Sequence, residues 1–223
     1  LNGFDALASI YDRLAHIVFC QSLRMAQVAF LDEVPPGKVL VLGGGTGWIA
    51  SAVLAAQPLC SVWYIDASKR MIELSRSRGL DPNRIHFIHG TEDDIPSNMK
   101  FDSVITHFYM DMFTQDSLEL AIGKISRSVA AGGKWLVTDF VSSRKIGHRM
   151  LLRLMYVFFR LVSGIEAKRL PDWNKAMSKG MFEKKKSTFF HDRFIEACIF
   201  ENRVAIENLQ SGPFSYKEEI TSK

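Results

Sequence analysis

Residues 38–49 read Lys-Val-Leu-Val-Leu-Gly-Gly-Gly-Thr-Gly-Trp-Ile. Val39 to Leu42 is a short apolar, β-branched-rich run, which predicts a strand buried on both faces. Gly43, Gly44, Gly45 and Gly47 follow at once, and Trp48 to Gln57 predicts a helix. Strand, glycine turn and helix together bring backbone N–H groups and a helix N-terminus close to a polar ligand. The next predicted strand, Ser61 to Ile65, ends on Asp66, about 20 residues after the glycines. A carboxylate there can accept both hydroxyls of a ribose. The stretch predicts a nucleoside-cofactor site.

A dinucleotide fingerprint places its glycines as G-x-G-x-x-G. Counted from Gly43, the third position falls on Trp48; counted from Gly45, it falls on Ala50, a tolerated variant. The spacing that stands here more naturally is G-x-G-x-G, at Gly43, Gly45 and Gly47. In that spacing the loop resembles the first motif of the class I S-adenosylmethionine-dependent methyltransferases, hydrophobic-Leu-Asp-Leu-Gly-x-Gly-Thr-Gly. Val41 stands where that motif usually has an acid supporting the cofactor's ammonium end, a contact that Asp139 or a backbone carbonyl would then take over.

Further stretches carry the resemblance in order. Gly90-Thr91-Glu92-Asp93-Asp94-Ile95-Pro96 resembles the family's Gly-Asp-Ala-Glu-Asp-Leu-Pro segment, and Phe101-Asp102 resembles its entry into the fourth strand. Ser128-Val-Ala-Ala-Gly-Gly-Lys-Trp-Leu-Val-Thr-Asp-Phe140 is similar to the L-x-P-G-G-x-hydrophobic signature, with Ala131 in place of proline. Ala8-Ser-Ile-Tyr-Asp-Arg-Leu14 resembles the N-terminal helix of quinone-pathway methyltransferases, whose tyrosine approaches the cofactor.

The resemblance implies a Rossmann-like α/β fold: a seven-stranded, mostly parallel sheet with helices on both faces and an antiparallel C-terminal hairpin. It implies S-adenosyl-L-methionine as cofactor. Gly43, Gly45 and Gly47 would approach its methionine and ribose portions, and Asp66 with Ala67 the ribose. Thr91, Glu92 or the backbone would read the adenine, and Tyr11 and Thr106 would complete the site.

Ligands of open parallel sheets bind beyond the carboxyl ends of strands, where the strand order reverses. His107 to Asp111 follows the fourth predicted strand, Phe101 to Thr106, and borders the reacting group in such a fold. His107 is the leading candidate base, since an unperturbed imidazole titrates near neutrality. A pocket-wall histidine with no proton role is the alternative, and Tyr109 and Asp111 are further candidates.

The rest of the chain reads as one domain over residues 1–207: a helical cap (1–34), a cofactor-binding core (38–141), a helical insertion or lid (142–180) and a hairpin (181–207). A polar tail, 208–223, follows. Leu118 to Val129 predicts a helix, Ala131 to Lys134 a tight turn and Trp135 to Phe140 the fifth strand. Met150 to Val162 predicts an amphipathic helix with Arg149, Arg153 and Arg160 on one face, too short and charged to span a bilayer. It can pack on the sheet, cover an apolar substrate, or touch a membrane surface. A further helix starts at Pro171, and Lys184 to Phe190 pairs with Phe194 to Glu201 through His191-Asp192-Arg193.

Composition sets wide bounds. The chain has 223 residues, is 47% apolar and 23% charged, and carries a net charge of +4. Such a balance permits anionic partners without demanding them. Cys20, Cys60 and Cys198 lack Cys-x-x-Cys spacing and read as buried thiols of a reducing cytoplasm. No His/Cys cluster predicts a metal. Thr106-His107-Phe108-Tyr109 is not an (Asp/Asn)-Pro-Pro-(Tyr/Phe) motif, and Pro-Cys is absent, so a nucleic-acid acceptor is not expected. The expected acceptor is a small, lipophilic molecule such as a quinone precursor or lipid. Two other classes are weighed against this enzyme. One is a catalytically silent protein that binds cofactor or a partner. The other is an NAD-dependent oxidoreductase, which lacks its Tyr-x-x-x-Lys pair and fits poorly with a terminal hairpin.

Overall fold

β1 (Gly37–Leu42) lies at the centre of the sheet because both of its faces are apolar. Leu40 and Leu42 enter one cluster with Val104, Trp135 and Val137. Val39 and Val41 enter the other with Ile49, Val53, Ile105 and Leu136. Side chains alternate across a strand, so a strand covered on both sides must be apolar at every position. Each of these buried side chains stabilises the fold by ~1.5–3 kcal/mol.

The computed structural model describes residues 21–163 and 167–203, without the side chains of 161–163. β1 is joined by β2 (Cys60–Asp66), β3 (Ile85–His89), β4 (Phe101–His107), β5 (Val129–Phe140), β6 (Phe182–Phe190) and β7 (Ile195–Asn202). The order is β3-β2-β1-β4-β5-β7-β6. β7 pairs antiparallel with both β5 and β6, and the remaining pairings are parallel. This is the Rossmann-like sheet with an antiparallel C-terminal hairpin expected from the sequence. The order reverses between β1 and β4, which makes the carboxyl ends of these strands the place for a ligand.

The described helices are α1 (Ser22–Val28), α2 (Trp48–Ala56), α3 (Lys69–Arg76), α4 (Gln115–Ser126), α5 (Ile146–Ser163) and α6 (Trp173–Ser178). Ser68 caps α3 by accepting from Met71 N, and Thr114 caps α4 reciprocally with Ser117. α6 begins after its Asp172 cap rather than at Pro171.

The junction of α4 and β5 also differs from expectation. α4 ends at Ser126, and Val129 opens β5 instead of closing the helix. The expected turn at Ala131–Lys134 is absorbed inside β5, where the register jumps from Phe101↔Val129 to Ser103↔Lys134. Gly132, at φ +69°, takes the left-handed conformation that this irregularity needs.

Candidate functional site

The glycine loop leaves β1 and closes on the end of β2. Gly43 N donates to Ile65 O (2.9 Å), and Gly45 N donates to Asp66 Oδ2 (2.9 Å). Ser68 N donates to Asp66 Oδ1 (2.8 Å). Asp66 is buried, and that burial raises its pKa against the opposing pull of the two N–H donors. A carboxylate has about four lone-pair sites. Two are used here, which leaves acceptor capacity for hydroxyls.

The loop is braced from below. Tyr64 hydroxyl (2.6 Å) and Ser75 hydroxyl (3.1 Å) both donate to Gly45 O. Gly47 sits at φ +79°, and a Cβ there would lie 2.9 Å from the Ser75 backbone. Gly45, at φ +63°, differs: a Cβ there meets nothing within 4 Å. Gly47 is glycine for packing, and Gly45 keeps an open face over the loop. That open face beside a buried carboxylate fits a nucleoside-bearing ligand.

The loops after β3 and β4 reach the same edge. Thr91 caps the 3-10 turn Glu92–Asp94, its hydroxyl accepting from Asp93 N (3.3 Å). Tyr109 donates its hydroxyl to Glu92 Oε2 (2.8 Å), and its ring closes against Gly43, where a Cβ would lie 2.6 Å from ring carbon. Burial raises the Tyr109 phenol pKa, and the Glu92 charge adds to the shift. Ala67 is exposed beside Asp66, and its carbonyl meets His89 Nε2 at 3.0 Å. The Thr106 hydroxyl faces inward and accepts from Trp135 Nε1 (2.9 Å). Gly43, Gly45, Gly47, Asp66, Glu92 and Tyr109 thus form one connected edge. Tyr11 lies outside the described residues.

His107 and Asp111 sit apart from that chain of contacts. His107 Nδ1 and Asp111 Oδ1 are buried without a hydrogen-bond partner among the described residues. Burial drops the His107 pKa to about 3, so its imidazole is neutral at physiological pH. Burial pushes Asp111 up to about 7 and also raises Asp139, whose shift the Asp111 charge increases. Asp139 Oδ2 accepts from Met110 N (2.9 Å) and Asp111 N (3.3 Å), and Oδ1 accepts from Phe140 N (2.7 Å). Three N–H donors favour the ionised form of Asp139. The two carboxyls are coupled, and burial holds both above the ordinary carboxylate range. Tyr156 holds the same segment by donating its hydroxyl to Asp111 O (3.0 Å).

Val41 is buried among apolar residues, and buried Asp139 has its oxygens on the N–H groups of Met110, Asp111 and Phe140. Residues 39–133 match the family of methyltransferase domains. That stretch, somewhat less than half of the chain, is similar to a methyltransferase domain. The chain is 28% identical over 141 residues to demethylmenaquinone methyltransferase of Clavibacter sepedonicus, covering 61% of this chain and 56% of that one. It is 24% identical over 137 residues to malonyl-[acyl-carrier protein] O-methyltransferase of Priestia megaterium, covering 61% and 47%. The matches thus span about half the length of these two relatives. Among solved structures, the DhpI complex with SAH superposes with a TM-score of 0.66 at 17% identity, covering 89% of this chain and 93% of that one. This last likeness establishes the fold.

Several residues that shape the site were missed in the sequence. Tyr64 and Ser75 read as an ordinary core position and a helix residue, yet they clasp the loop. Tyr156 lies far along the chain and reaches Asp111 only in three dimensions. For Tyr64, the available cue was a hydroxyl inside an otherwise apolar strand.

Proposed function

We propose that the chain transfers a methyl group from S-adenosyl-L-methionine to a small, lipophilic acceptor bound beyond the ends of β4 and β5. The observation that carries this reading is the left-handed glycine loop clasped to buried Asp66 at the switch point. When bound, the donor supplies a sulfonium-activated methyl group whose leaving thioether needs no acid. The chain's own work is alignment, water exclusion and removal of a proton from the acceptor.

In this reading Asp66 holds the ribose hydroxyls with its remaining lone pairs, Gly45 leaves room for the donor, and Thr91 and Glu92 flank the adenine. Tyr109 ties the loop after β3 to the glycine loop and positions both. His107, neutral and weakly basic, serves as a wall. Asp111, pushed up to about 7, takes the acceptor's proton, because a base works best with a pKa near the working pH. A lipophilic acceptor is favoured by the apolar cluster over the ends of β5 and β7, where Phe140, Met155 and Phe194 are packed by Phe108, Leu151 and Phe159. A relative named for demethylmenaquinone points the same way.

The test is transfer of labelled methyl from S-adenosylmethionine to a panel of lipophilic phenols and quinols, with organic extraction of the product. Label in the organic phase, lost with Asp66→Ala, is expected. Label found only in water-soluble products would overturn the lipophilic assignment.

A further inference from the structure

α5 shows two unlike faces. Its inner face buries Met155 and Tyr156 and lays Leu151, Leu152 and Phe159 on the cluster formed with Phe140, Phe194 and Ile195. Its outer face leaves Ile146 at 75%, Met150 at 68%, Leu154 at 61% and Val157 at 50% exposed. Scattered exposed apolar side chains are ordinary, but these follow one another at spacings of four, four and three along a single helix face. Arg149, Arg153 and Arg160 are exposed beside the stripe. At 100° per residue they form a ribbon along one flank of it. The helix contains no Asp or Glu, and no ion pair engages these three arginines among the described residues. No described helix is long and apolar enough to cross a membrane.

We propose that the outer face of α5 docks on an anionic phospholipid surface, the helix lying in the interface plane. The choice of occupant rests on charge complementarity. An apolar stripe with a basic flank and no acid matches acyl chains below and anionic headgroups above. A second copy of the same face would bring two arginine ribbons together. Because the inner face of α5 touches the Asp111 segment through Tyr156, docking would set the proposed acceptor side near the lipid. The proposal stands apart from methyl transfer, since its readout is vesicle binding.

The experiment is co-sedimentation of the full chain with vesicles of phosphatidylglycerol and phosphatidylcholine, against vesicles of phosphatidylcholine alone, at low and high salt. Binding to the anionic vesicles that weakens with salt is expected. Each Arg→Gln change at 149, 153 or 160 should weaken it about fivefold. Met150→Ser with Leu154→Ser should weaken it by roughly tenfold or more. These side chains are exposed, so circular dichroism of the variants should match that of the parent. The proposal is overturned if neither vesicle is bound, or if both sets of variants bind like the parent. It also fails if light scattering finds a dimer that the stripe variant dissolves, or if a photo-cross-linker at position 150 captures residues 1–20.

Discussion

Replacing Asp111 with asparagine removes a carboxyl group that the fold compels to hold a proton. Burial moves this group from 3.8 to about 7. At ~1.4 kcal/mol per pH unit, that interval is worth ~4 kcal/mol. The folded carboxyl binds its proton more tightly than the unfolded one. Its contribution is therefore fully present below about pH 4 and is lost as pH rises through about 7. Of the whole, ~3 kcal/mol falls between about pH 5 and 8. An asparagine side chain does not titrate, so Asp111→Asn should gain on the wild type by up to ~3 kcal/mol over that window. Below about pH 4 it should be equal or slightly less stable, because an amide replaces a protonated acid in the same buried place. The assay is urea unfolding of both proteins across the window. If Asp111 is also the acceptor's base, wild-type turnover rises through about pH 7 and the variant loses that limb. A stability difference that stays flat with pH would refute the reasoning, because it would mean that Asp111 is already ionised in the fold.

The loop glycines should separate into two kinds. Gly47→Ala meets Ser75 atoms at 2.7–2.9 Å in a left-handed conformation and should cost ~2–4 kcal/mol in thermal or urea unfolding. Gly45→Ala, with open space around its Cβ, should cost only ~1–2 kcal/mol of backbone strain. The same variant should lose S-adenosylmethionine affinity by about tenfold or more, as the methyl projects onto the open face, and calorimetry reads this directly. Tyr109→Phe removes the hydroxyl that Glu92 accepts and should lower stability by ~1–2 kcal/mol without unfolding the sheet.

The strands that frame the site were legible because burial on two faces leaves no other way to write them. Val39–Leu42 and Ser103–Ile105 are apolar or small at every position, and each ends where the ligand edge begins. The start of β5 was not legible, since Val129-Ala-Ala-Gly-Gly carries as good a helix-end and turn pattern as a strand. Chemistry was harder to read than architecture. His107 draws attention through its ordinary pKa, but burial, with Nδ1 unpartnered among the described residues, overrides that value, and sequence position says nothing of desolvation. Asp139 was a candidate to replace the missing acid at Val41. In the fold its oxygens are committed to the N–H groups of Met110, Asp111 and Phe140, a role fixed by the 3-10 turn after β4. The distinction between Gly45 and Gly47 likewise depends on Ser75, which lies on a different helix.

Calorimetric titration of the full chain with S-adenosylmethionine, S-adenosylhomocysteine and NADH, beside Asp66→Ala, tests the central claim most directly. The account predicts that both sulfur nucleosides bind, that Asp66→Ala abolishes their binding, and that NADH does not bind. Binding of NADH alone, or nucleoside binding indifferent to Asp66→Ala, would contradict it.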